Sequence, residues 1–226
     1  MERTIIIGDV HGCIAEAEEM LQACDWRPGV PVVFTGDLVG RGPEPKALID
    51  LAREIGARAV LGNHEQAWLR LRDGTASDLL RSLVNPRDIE AAFRLEEQHW
   101  NFLSGLPPFI RLPEAGVVVV HAGLAQGVKL EDQDTEVMVN LRSVRRDGSC
   151  SSSNYDGVPW GSLWPGPEEV VFGHNASRGL QRWPLATGLD TGCVYGKSLT
   201  AYLLPERRLV SVPARRVYGA IRSRKV

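Results

Sequence analysis

Thr4-Ile5-Ile6-Ile7-Gly8-Asp9-Val10-His11-Gly12 sets an apolar, β-branched run directly against a glycine-rich turn that carries a carboxylate and an imidazole. Branched side chains pack well on extended backbone, and an unbroken apolar run reads as a strand covered on both faces. From Ile14 to Cys24 apolar residues recur at helical spacing, so the whole segment reads as strand, loop, helix. The arrangement returns with Val30 to Phe34 before a helix near Glu44 to Glu54, and with Ala57 to Leu61 before a helix from about Glu65 to Arg72. Three such units in a row predict a parallel sheet.

Beyond them, helical material is expected over Asp88 to Leu103. Strand-like runs then follow at Phe109 to Leu112, Val117 to His121, Val170 to Phe172, Leu185 to Leu189, Leu199 to Leu204 and Leu209 to Val212. Helices early and strands late predict an α/β layered fold in which two mixed β-sheets pack together, flanked by helices. No linker interrupts the chain, so residues 1–226 are expected to form a single domain. The serine-rich stretch Asp147 to Asp156 reads as a mobile surface loop.

Composition excludes several classes. Hydrophobic residues make up 43% and charged residues 24% of the 226, which is globular usage and not that of a disordered, collagen-like or coiled-coil chain. The apolar run around Val117 to Val120 is far short of the ~20 residues that cross a bilayer, so neither a membrane span nor a secretory leader is expected. Cys13, Cys24, Cys150 and Cys193 form no CxxC pair, which suits reduced thiols and a cytoplasmic location. The net charge of -2 hides a basic end: Arg207, Arg208, Arg215, Arg216, Arg222, Arg224 and Lys225 follow Glu206 with no acid among them. A short basic terminus is more often a solvated one than a nucleic-acid grip.

The Asp9/His11 turn is one of five alike. Gly36-Asp37-Leu38-Val39-Gly40-Arg41-Gly42, Gly62-Asn63-His64-Glu65, Val120-His121-Ala122-Gly123 and Val171-Phe172-Gly173-His174-Asn175 also place metal-ligand residue types just past an apolar strand. In open α/β sheets ligands bind beyond the carboxyl ends of strands, so these loops are expected to converge. His11, His64, His121 and His174 all lie in them, and of the chain's 5 histidines only His99 does not. A core or surface role can account for any one of these histidines but hardly for all four. Carboxylates, an amide and imidazoles without thiolate suit manganese, iron, zinc or cobalt, and there are donors enough for two ions. Two such ions can activate water for in-line attack on a phosphoryl group, with Arg41 placed to fork onto phosphate oxygens.

Taken together, the five loops resemble the calcineurin-like metallophosphoesterase family. Within it they look most like the phosphoprotein phosphatase branch, in particular the symmetrical diadenosine tetraphosphate hydrolases and the phosphatases similar to them. Gly188-Leu189-Asp190-Thr191-Gly192-Cys193-Val194-Tyr195-Gly196 is similar to a C-terminal signature of those hydrolases. The resemblance implies that Asp9 and His11 hold a first metal and that Asp37 bridges two. It also implies that Asn63, His121 and His174 complete the second, with His64 as proton donor and Arg41 and Arg142 as phosphate clamps. The cofactors it implies are two divalent ions, manganese first, with iron, cobalt or zinc as alternatives. The substrate it implies is a dinucleoside polyphosphate, diadenosine tetraphosphate cut to two ADP, with a phosphoprotein as the alternative and a capped RNA end as a lesser one.

The chain departs from the pattern in places. The Ser/Thr phosphatases carry an aspartate before the loop arginine to orient the histidine, and here Gly40 stands there. An unoriented acid matters greatly for expelling an alkoxide and little for expelling a nucleoside diphosphate, which tilts the expectation toward phosphoanhydrides. Lys197 replaces a glycine usual in the branch and reads either as a contact to distal phosphates or as an exposed lysine. Gly196-Lys197-Ser198 is no phosphate loop, because Thr191 occupies the position of its first glycine. Tyr195, Trp160, Trp164 and Trp183 are candidates for stacking on a base, with core packing as the alternative.

Overall fold

The computed structural model describes residues 3–76 and 84–219. Arg222, Arg224 and Lys225 of the basic end lie outside them.

Two five-stranded sheets form the body. In the first, β1 (Thr4–Ile7) pairs in parallel with β2 (Val32–Phe34), which pairs in parallel with the short β3 (Arg58–Ala59). On its other side β1 runs antiparallel to β12 (Ser198–Leu204), and β12 pairs with β13 (Arg208–Pro213). The second sheet has the order β10, β11, β9, β5, β4. Its centre, β5 (Val117–Val120), β9 (Glu169–Phe172) and β11 (Ala186–Gly188), is parallel. The edges β4 (Phe109–Leu112) and β10 (Gln181–Trp183) are antiparallel.

Alternation along the strands explains the layers. Ile5 and Ile7 face a cluster with Ala17 and Met20 of α1 (Ile14–Ala23) and Leu48, Ile49 and Ala52 of α2 (Pro45–Glu54). Ile6 points the other way and packs with Val33, Val60, Val117, Val119, Val171, Tyr202 and Leu204, where the two sheets meet. Val118, Val120, Val170 and Phe172 fill a third cluster on the outer face of the second sheet. All three isoleucines of β1 are fully buried, worth roughly 1.5–3 kcal/mol each. The two-sheet α/β architecture expected from the sequence is the one found.

Three local expectations need correction. The third helix, α3, begins at Asn63 and runs to Arg72, two residues earlier than the periodicity indicated. The helical stretch after Asp88 is two helices, α4 (Pro86–Phe93) and α5 (Glu97–Ser104). His99 ends the continuity: its Nδ1 accepts from the backbone N–H of Glu96 at 2.9 Å, starting a new helix, while its Nε2 meets Asp50 at 2.9 Å. The serine-rich stretch is built into structure. β7 (Cys150–Ser151) pairs with β6 (Ser143–Val144), which also pairs with β8 (Val158–Pro159). Asp156 accepts from the Ser151 hydroxyl and from Arg145 at 2.6 and 2.9 Å.

Candidate active site

The parallel strands of both sheets end at one place. β1 delivers Asp9 and His11, β2 delivers Asp37, and the segment after β3 delivers Asn63 and His64 at the start of α3. From the second sheet β5 delivers His121, β9 delivers His174 and β11 delivers Asp190. The turns are sharp. His11, Asp37, Arg41 and His174 all adopt positive φ, between 51° and 70°, a conformation that costs a residue with a side chain and gathers at functional sites. Gly173 is required by contact rather than by φ, since a Cβ there would collide with Oδ1 of Asp9.

Hydrogen bonds settle the imidazole tautomers. His11 Nδ1 lies 3.0 Å from the carbonyl of Val39, and His121 Nδ1 lies 2.8 Å from that of Thr35. A carbonyl only accepts, so both Nδ1 atoms carry the proton and both Nε2 atoms present lone pairs. Those lone pairs flank Asp37: His11 Nε2 is 3.5 Å from Oδ2, and His121 Nε2 is 3.5 Å from Oδ1. Asn63 Oδ1 lies 2.9 Å from His121 Nε2 and 3.0 Å from His174 Nδ1, while His174 Nε2 is buried without a partner among the described residues. His121 Nε2, Asn63 Oδ1 and the Asp37 oxygens are all acceptors, and acceptors facing one another in this way repel until cations sit among them. The second-layer bonds to Nδ1 are those that orient ligating histidines.

Electrostatics agrees. Burial holds His11 near 3 and keeps His121 and His174 below the usual imidazole range, hence neutral and able to ligate. Burial also pushes the Asp37 carboxyl up to about 7 and Asp9 well above its ordinary value, with Asp190 adding repulsion at both. Buried carboxylates gathered without a cation are unfavourable, and divalent ions remove that cost. The donor set therefore fits divalent cations, and a carboxylate with one oxygen toward each imidazole group fits a pair of them.

Two further acids, Asp190 and Glu65, belong to the site. Asp190 is buried and lines the site cavity. Its signal was a sixth repeat of the strand-then-ligand pattern, Ala186-Thr187-Gly188-Leu189-Asp190. Glu65, fully buried, accepts from three backbone N–H groups: Asp37 at 2.9 Å, Gly62 at 3.0 Å and Val39 at 3.0 Å. It shapes the loop that presents Asp37.

A cavity of about 240 Å³ opens over these donors, lined in part by Arg41, His64, Arg142, Asn175 and Tyr195. Arg41 Nε donates to His64 Nε2 at 3.1 Å. His64 Nδ1 is buried and unpartnered among the described residues, and it faces Gly40, where a Cβ would strike it. Among the described residues no carboxylate bonds to His64 Nδ1. Arg142 donates to the Ser152 carbonyl at 3.3 Å, and its Nε is buried without a partner among the described residues. The Arg41 guanidinium lies 5.8 Å from the Tyr195 ring centre.

Lys197 is not part of this wall. Its side chain is exposed and its ammonium donates at 3.2 Å to the carbonyl of Ala176, a residue of the cavity lining, so it stands as an exposed lysine beside the rim. The tryptophans are also elsewhere. Trp160 and Trp183 pack on Phe172 at 4.8 and 6.4 Å between ring centres, and Trp164 packs on Trp160 at 6.1 Å, in the outer core of the second sheet. Of the four aromatic candidates only Tyr195 reaches the cavity.

Known proteins show the same frame. A bis(5'-nucleosyl)-tetraphosphatase PrpE (asymmetrical) of Bacillus subtilis (strain 168) is 30% identical over 98% of both chains. One of the same name from Geobacillus thermodenitrificans (strain NG80-2) is 29% identical over 92% of this chain and 93% of its own. A solved structure of a candidate diadenosine tetraphosphatase superposes with a TM-score of 0.84 at 38% identity, covering 94% of each chain. A cold-active protein-tyrosine phosphatase of a Shewanella species shares the fold, with a TM-score of 0.60 at 16% identity. The family profile for calcineurin-like phosphoesterases matches residues 2–208. With that match across most of its length, the chain belongs to the calcineurin-like phosphoesterase family.

Proposed function

We propose that this chain hydrolyses the phosphoanhydride bridge of dinucleoside polyphosphates with the help of two divalent cations. Asp9, His11 and Asp37 would hold one cation, and Asp37, Asn63, His121 and His174 the other, with manganese the first choice and iron, cobalt or zinc as alternatives. When bound, such a pair supplies the Lewis acidity that activates water and offsets phosphoryl charge. The chain's own side chains do the rest. Arg41 and Arg142, both in the cavity lining, bind and orient the phosphate under attack, as guanidinium forks suit phosphate oxygens. Arg41 also holds the His64 ring by its Nε2.

The observation that carries the anhydride reading is the bare Nδ1 of His64 beside Gly40. An imidazole without an orienting acceptor is a weak proton donor, adequate for a nucleotide leaving group that is already a stable anion and poor for a serine alkoxide. The relatives' names support a dinucleotide substrate. The sequence favoured the symmetrical cut to two ADP, whereas these relatives, matched over nearly their full length, carry the asymmetrical name. The asymmetric cut, to a nucleoside monophosphate and a triphosphate, is therefore the reading adopted.

Chromatography of the products from diadenosine tetraphosphate and the manganese-loaded protein tests this. AMP with ATP is expected, and ADP alone would restore the symmetrical cut. No turnover of the dinucleotide beside ready turnover of a phosphopeptide panel or a capped RNA would overturn the substrate class.

A further inference from the structure

A second cavity, of about 450 Å³, borders the first and shares Arg41 as a wall. Its lining includes Arg41, Arg87, Arg94 and Arg216, and among the described residues Glu90 is the one acid of that lining. Three separate segments supply the arginines: the loop after β2, helix α4 and the stretch following β13. Arg87 in the first turn of α4 and Arg94, the residue that caps its C-terminus, are seven positions apart, two helical turns along one face, with Ala91 between them leaving the floor open. Arg216 is held over the Tyr218 ring, 5.0 Å from its centre. Arg87, Arg94 and Arg216 make no ion pair among the described residues, although Glu90 lines the same cavity.

The placement is fixed rather than incidental. The backbone N–H of Arg41 donates to Asp88 Oδ1 at 2.7 Å, and Asp88 Oδ2 accepts from Asn85 N–H at 2.9 Å to close the N-terminal cap of α4. One buried carboxylate thus ties the arginine over the metal-ligand cluster to the helix that carries Arg87 and is capped by Arg94. Like charges brought together at the cost of mutual repulsion are what a multiply charged anion requires.

We infer that this cavity is a polyphosphate subsite, in which Arg87, Arg94 and Arg216 take the phosphates on the leaving-group side while Arg41 spans the bond being cut. The inference deepens the dinucleotide reading and rests on it for the identity of the natural ligand. The recognised chemistry is a chain of three or more linked phosphates, whether part of a dinucleotide or of a nucleoside triphosphate.

Inhibition of aryl phosphate hydrolysis by inorganic tripolyphosphate and by orthophosphate tests the subsite, with divalent cation kept in excess of polyphosphate. Arg87→Gln combined with Arg94→Gln should weaken tripolyphosphate inhibition about tenfold or more, and orthophosphate inhibition by less than about twofold. Arg216→Gln, outside the helix, should act in the same direction. Glu90→Gln should strengthen tripolyphosphate inhibition, a gain that misfolding cannot produce. Equal weakening for both anions, or no change for tripolyphosphate, would overturn the subsite. The dinucleotide reading is tested separately: arginine-dependent tripolyphosphate inhibition in a protein that leaves diadenosine tetraphosphate intact would retain the subsite and remove that substrate.

Discussion

Arg41 and His64 are joined by a hydrogen bond whose direction is forced: the guanidinium has only protons to give, so the 3.1 Å contact makes His64 Nε2 the acceptor. The pair is therefore one unit over the metal-ligand cluster. Arg41→Ala and His64→Asn should each lower kcat/KM on an aryl phosphate, and the double variant should fall short of the product of the two losses by about tenfold, or ~1.4 kcal/mol. Steady-state kinetics of the four proteins gives the answer, and strictly multiplicative losses would show the two residues acting apart.

Asp37 stands between two neutral imidazoles, so its removal should be felt by both cations. In the wild type, added manganese should raise the melting temperature by several degrees, since a ligand at a hundred times its Kd contributes about 2.7 kcal/mol. Asp37→Asn should flatten that rise and lower the metal content found by elemental analysis. Two bound metals with full turnover in the variant would remove the bridging role.

Glu65 lies behind the cavity lining and still matters to the site. Replacing it by alanine leaves three buried backbone donors unmatched, at about 1–3 kcal/mol for each group left without a partner. Urea unfolding should show Glu65→Ala destabilised by several kcal/mol, with Glu65→Gln intermediate. Metal content should fall in the same order, because the loop carrying Asp37 loses its brace.

Lys197→Ala should leave turnover of diadenosine tetraphosphate within about twofold of wild type, as expected for an exposed lysine outside the cavity wall. A tenfold loss confined to the dinucleotide would return Lys197 to the substrate.

Much of the site was legible because its residues are local to their strands. Asp9, His11, Asp37, Asn63, His121 and His174 each follow an apolar run by a few positions, and the parallel pairing of those runs brings them together. What escaped reading depends on distant partners. The sheet formed by β6, β7 and β8 has two-residue strands, too short for any alternation to show. Helix α5 starts through a histidine side chain, His99, instead of the usual small polar cap. Arg87 and Arg94 look in sequence like an ordinary solvated helix face. The Asp88 contact to Arg41, 47 positions away, ties that face to the site.

The donors come from two sheets, and the sheets meet through Ile6, Val33, Val60, Val119, Val171, Tyr202 and Leu204. Hydrocarbon packing thereby acts as the ruler for ion separation. Close-packed interiors transmit even a missing methylene as a small shift, so thinning that seam would slide Asp9 and Asp37 relative to His121 and His174 without altering a single ligand. Preference among manganese, cobalt and zinc, which differ in the spacing and geometry they accept, would then be tunable from positions that never meet an ion.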